Sequence, residues 1–146
     1  MREETAQRAY HYFQCGMNCA ESSFRALIEC FDPAADEQIF RTATPFGGGV
    51  GSSRKELCGA LSGSVMAVGW ILGRIRPDES DNPSKEIALR LCDQFRKFLQ
   101  ETRCQVLYDR FGKNQNLKCA YLTSSAVGWT YDLLVGHGMK PVKRNG

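Results

Sequence analysis

The chain has 146 residues, of which 42% are hydrophobic and 24% charged, and its formal charge is +3. That length suits one domain, residues 1–146, which buries roughly 70% of its unfolded surface without needing disulfides. The composition is that of an ordinary globular protein, and so slight and dispersed a positive charge excludes a nucleic-acid-binding surface.

The N-terminus, MREETAQRAY, is charged and lacks the apolar core of a signal peptide, which predicts a cytoplasmic protein with reduced thiols. Residues 3–15 read as a first helix, because Ala6, Ala9, Tyr10 and Phe13 recur at i, i+3, i+4 and i+7. Gly16 stops it. Asn18 then caps a second helix, with Glu21 three residues on to close a capping box. Cys19, Ser23, Ala26 and Cys30 form one stripe of that helix; Ala20, Phe24, Leu27 and Phe31 form the adjoining one. Asp32-Pro33 reads as a cap and first residue of a third, short helix with Ile39, Phe40 and Ala43 inward, ended by Pro45.

A glycine loop, FGGGVGSSRK, leads into the central element. Ser53 with Glu56 reads as its capping box. From Leu57 to Gly73 no residue is charged, so the helix is predicted to be buried on every side. Its glycines suit close approach by neighbouring helices. The 17-residue uncharged run is near the lower limit for a membrane span, but flanking amphipathic helices favour a core helix. No membrane insertion is expected. Its small-residue faces also suit a homodimer.

Residues 74–81 are a polar connection. Asn82-Pro83 opens a fifth helix with Ile87, Leu91, Phe95 and Phe98 inward. Cys104 falls at or just past its end, and Cys104, Leu107, Tyr108 and Phe111 keep helical spacing for a further short turn, stopped by Gly112. Cys119 precedes a last helix whose shared face is Leu122, Ala126, Trp129 and Leu133. Trp70 and Trp129 read as core, Asp132 as a solvated residue, and residues 139–146 as a frayed tail. The sum is an all-α fold: a compact antiparallel bundle of about six helices around a buried, glycine-rich central one.

The chemistry rests on cysteine. There are seven, with no CxxC and no CxxCH, so a zinc ribbon, a thioredoxin motif and c-type haem are all excluded. Cys19 and Cys58 begin helices, Cys104 ends one and Cys119 leads into one. Helix N-termini favour thiolate, the form that attacks disulfides and binds metals. Four such groups converging would make a site for zinc or an iron–sulfur cluster, or two redox pairs. Position alone fits buried core cysteines equally well. Gly47, Gly48 and Gly49 could offer N–H groups to a ligand beside Cys58, although the loop lacks the ending and the preceding strand of a P-loop. His11 and His137 have no partner in sequence.

NCAESSF at 18–24, FGGGVGSSRKELCGALSG at 46–63 and the single Cys104 and Cys119 together resemble the C_GCAxxG_C_C family. These are small helical proteins described as redox-active and named for four cysteines and a CGAxxG segment. That segment stands intact here as Cys58-Gly59-Ala60-Leu61-Ser62-Gly63. The resemblance spans nearly the whole chain. It implies that Cys19, Cys58, Cys104 and Cys119 are the family cysteines. It also implies likeness to the non-haem domain of split-Soret-type cytochromes, with a cluster or metal at the cysteines. Cys15, Cys30 and Cys92 lie outside the pattern; Cys30 and Cys92 sit on apolar helix faces. The expected function is therefore redox work by the four cysteines with an unidentified partner. They would act either as an iron–sulfur or other thiophilic metal site, or as dithiol/disulfide pairs. The alternative is a helical binding or structural module, with or without a structural zinc.

Overall fold

A computed structural model of the protein describes residues 1–144. It contains six α-helices: α1 (Arg2–Gln14), α2 (Cys19–Phe31), α3 (Gly59–Leu72), α4 (Asn82–Leu99), α5 (Cys104–Phe111) and α6 (Gln115–Gly136). A 3₁₀ segment, Glu37–Phe46, joins α2 to the glycine loop. Among the described residues the only β-type pairing is one isolated antiparallel bridge, Leu57 with Arg103. The all-α reading holds. No helix among the described residues is long and apolar enough to cross a membrane.

The capping box of α2 forms as its sequence dictates. Asn18 Oδ1 accepts from the Glu21 N–H at 2.9 Å, and Glu21 Oε1 accepts from the Asn18 N–H at 3.0 Å. The Asn18 side-chain amide also donates to the Thr44 carbonyl at 3.0 Å, tying the helix start to the 3₁₀ segment. α2 lies along α3, and α1 lies along α6. The α2–α3 approach is close because a Cβ on Gly63 would collide with the Ala20 carbonyl and Ser23 Oγ, and would sit 2.8 Å from Ala20 Cα. Leu27 and Ile28 fill one core region with Ala67 and Val127; Leu61, Leu91, Phe95 and Leu107 fill a second, which takes in two of the family-pattern cysteines, Cys58 and Cys19.

Several expectations change. α3 begins at Gly59 with Cys58 as its N-cap, not at Ser53. Ser53 Oγ instead donates to the Gly49 carbonyl, inside the loop. The reason is the backbone before it: Gly48, Gly49, Val50, Gly51 and Ser52 all have φ between +57° and +68°, a left-handed turn that a right-handed helix cannot continue. α3 is buried from Gly59 to Ser64, but its far end is not. Trp70 is 47% exposed and its indole N–H donates to Asp32 at 2.9 Å. Asp32 is the C-cap of α2 and does not open the next segment; Asp36 caps the 3₁₀ segment. Asp81, not Asn82, precedes α4. Phe98 is 56% exposed, lying flat on the Trp129 ring at 5.1 Å instead of pointing inward.

The tail expected to fray is tied down over its described part. The Val142 N–H donates to the Cys30 carbonyl at 2.8 Å, and Arg144 pairs with Glu29 at 3.4 Å. Residues 145 and 146 lie outside the described residues. Asp132 pairs with Arg2 at 2.8 Å.

Candidate functional site

Four separate pieces of local structure deliver the cysteines. Cys19 is the first residue of α2, set by the Asn18 cap. Cys58 is the N-cap of α3. Cys104 is the first residue of α5; it starts a helix where it was expected to end one. Cys119 is inside α6, not ahead of it, because α6 already begins at Gln115. Backbone pairing draws two of them together. The Cys58 N–H donates to the Thr102 carbonyl at 2.8 Å, the Cys104 N–H to Glu56 at 3.0 Å and the Gln105 N–H to Arg54 at 2.8 Å.

Cys19, Cys58, Cys104 and Cys119 line one cavity of about 200 Å³. Its wall is completed by aromatic and apolar side chains, Phe13, Tyr108 and Phe111 among them, and by Asn18, Asn116, Ser52 and Arg54. No carboxylate and no imidazole lines it. Cys15, Cys30 and Cys92 do not line it either. Cys30 is buried at 3% exposure beneath the docked tail. Cys15 is exposed, with Sγ 3.4 Å from His11 Nε2, so His11 does have a partner, one helical turn away. That i, i+4 spacing on α1 was readable in sequence.

Glycines let the chain close over the cysteines. A Cβ on Gly59 would strike Cys19 Sγ and stand 3.1 Å from the Ala20 nitrogen. One on Gly49 would be 2.6 Å from Cys104 Cβ. One on Gly47 would strike the Asn18 side chain. Of the three loop glycines considered as ligand-binding, Gly48 lines the cavity while Gly47 and Gly49 serve as close-packing points.

The electrostatics run against activated thiolates. Burial, then the neighbouring charge of Cys19, pushes the Cys58 thiol far up; the N–H groups of Ala60 and Leu61 at the α3 start pull it down but lose. Burial also raises Cys104, with Cys19 adding to it. Burial, with Cys19 and Cys104, pushes Cys119 up to about 11. Expected helix-start activation thus fails at Cys58, because a fully buried thiolate beside other sulfurs costs more than one helix end returns. Among the described residues no three His, Cys, Asp or Glu side chains gather closely enough to hold a single metal ion. The donor chemistry nonetheless fits a soft-metal group: all four candidate ligands are thiols, and they face a common space.

The sequence model of a family described as "Putative redox-active protein (C_GCAxxG_C_C)" matches residues 17–133. The chain belongs to the C_GCAxxG_C_C family. The match takes in all four cysteines that line the cavity. A relative from Archaeoglobus fulgidus, described as an uncharacterized protein, is 29% identical over 143 residues, covering 90% of this chain and 94% of its own. No solved structure matches at a significant level.

Proposed function

We propose that Cys19, Cys58, Cys104 and Cys119 form one redox site that holds an iron–sulfur cluster through their thiolates. The observation that carries this reading is the common cavity: four cysteines from four helix segments face one space of about 200 Å³ with no carboxylate or imidazole on its wall. The raised thiols support it. Burial and mutual repulsion keep Cys58, Cys104 and Cys119 protonated, and a bound cationic centre would relieve both effects as the protons leave. A cluster supplies one-electron chemistry at a potential set by its surroundings. The chain's part is to present four sulfurs, to keep water away with Phe13, Tyr108 and Phe111, and to press the Gly49 and Gly59 backbone against Cys104 and Cys19.

A second reading has its own support. Cys19 Sγ lies against Gly59, the residue after Cys58, and of the surrounding charges that of Cys19 weighs most on Cys58. That proximity suits a Cys19–Cys58 dithiol/disulfide couple. Anaerobic purification followed by iron and sulfide analysis and a visible spectrum separates the two. Stoichiometric iron and sulfide with charge-transfer absorption supports the cluster. A colourless protein whose Cys19 and Cys58 link reversibly on oxidation supports the couple.

A further inference from the structure

Arg54 lines the cysteine cavity, and nothing so far gives it a task. Its guanidinium lies over the Tyr108 ring, 3.9 Å from the centroid, and Tyr108 lines the same cavity. Among the described residues no ion pair involves Arg54. Its backbone is in the left-handed region, φ +61°, which an arginine adopts only when surrounding structure holds it there. Two bonds do so: the Arg54 N–H donates to Gly48 at 2.8 Å and its carbonyl accepts from Gln105 at 2.8 Å. The charge is thus pinned from both ends, by backbone and by ring, on a wall that carries no carboxylate.

We propose that Arg54 makes the four-cysteine cavity selective for small anionic reactants, drawing them to Cys104 and Cys119. A fixed, uncompensated cation in a low-dielectric cleft concentrates anions and repels cations. A Cβ on Gly49 would meet both Cys104 Cβ at 2.6 Å and Arg54 Cα at 2.9 Å, and the Gln105 N–H donates to the Arg54 carbonyl at 2.8 Å, so Arg54 stands beside Cys104 on a wall shared with Cys119. The inference rests on the reading of the four cysteines as one site, but not on a bound cluster.

The test uses metal-free, reduced full-length protein and two alkylating probes of near-equal size, anionic iodoacetate and neutral iodoacetamide. Each forms a carbon–sulfur bond as the carbon–iodine bond breaks; iodide leaves with the electron pair and the thiol proton goes to buffer. Both probes consume the same thiolate, so the ratio of their rates reports attraction and not acidity. Peptide mass spectrometry assigns the rate to each cysteine, and the ratio is normalised to that of a small free thiol. At Cys104 and Cys119 the normalised ratio should favour iodoacetate by about fivefold to tenfold at low salt. It should fall to about one in Arg54→Gln, persist in Arg54→Lys, and shrink in wild type as salt is raised. A wild-type ratio of one at both cysteines, or a preference unaffected by salt, overturns the proposal without any variant having to fold. A protein that binds no iron yet keeps the preference refutes the cluster and leaves this inference standing.

Discussion

Gly63 and Gly69 lie in the same helix, and the structure separates them sharply. A methyl group on Gly63 would run into the Ala20 carbonyl and Ser23 Oγ and would stand 2.8 Å from Ala20 Cα. Two of those three atoms are backbone, so α2 and α3 would have to move apart. A methyl on Gly69 would meet nothing within 4 Å. Replacing glycine by alanine inside a helix gains up to about 1 kcal/mol from backbone entropy. Overpacking costs about 1–3 kcal/mol, and backbone collisions fall at the upper end. Gly69→Ala should therefore stabilise by up to about 1 kcal/mol, and Gly63→Ala should destabilise by about 2 kcal/mol after the same gain is credited. For a chain of this size the two melting temperatures should differ by roughly 10 °C. Urea unfolding followed by circular dichroism measures both. A Gly63→Ala protein as stable as wild type would refute the close α2–α3 approach, and with it the seat of Cys19 against Gly59.

Asn18→Ala removes the side-chain half of the α2 capping box and the bond to Thr44; it should cost about 1–2 kcal/mol in urea unfolding and raise alkylation of Cys19. Glu29 is 9% exposed and is held by Tyr12 at 2.6 Å, Arg25 at 3.1 Å and Arg144 at 3.4 Å, so Glu29→Ala should cost about 3 kcal/mol by stranding partly buried arginines. Stability should also fall in alkali. Cys119 is raised to about 11, so between about pH 9 and that value an unfolded chain loses a proton that the folded one keeps, which favours unfolding as pH rises. Cys58 and Cys104 act in the same direction. The urea midpoint should drop over that window by less in Cys119→Ser than in wild type; an equal drop would remove Cys119 from the account.

Local signals carried the helices whose causes are local. The periodic faces of α1 and α4 and the Asn18–Glu21 box are visible in short windows; α1 and α2 form with ends shifted by a residue or so, while α4 stops at Leu99, several residues short of Cys104. What failed depended on distant partners. Ser53 and Glu56 have the spacing of a capping box, but the preceding left-handed turn and the pairing of residues 54–58 with 102–105 take their backbone out of helix. The same pairing makes Cys104 a helix start, the short turn that its spacing with Leu107, Tyr108 and Phe111 predicts. The uncharged run of α3 places Trp70 inward, and periodicity places Phe98 inward. Each is half out because Asp32 offers the one a hydrogen bond and Trp129 offers the other a flat face. The gathering of four cysteines was legible only through family likeness; spacing could not tell ligand from core. Their lowered acidity is not legible in sequence, because helix position is written there, while burial and neighbouring sulfurs are not.

The central claim is that four particular cysteines form one cluster site. It is tested most directly by anaerobic reconstitution with ferrous iron and sulfide of wild type and seven single Cys→Ser variants, scored by bound iron and visible absorption. The account predicts a coloured wild type, marked loss in the variants of Cys19, Cys58, Cys104 and Cys119, and little change in those of Cys15, Cys30 and Cys92. A wild type that stays colourless and iron-free, or equal loss on replacing Cys30 or Cys92, would contradict it.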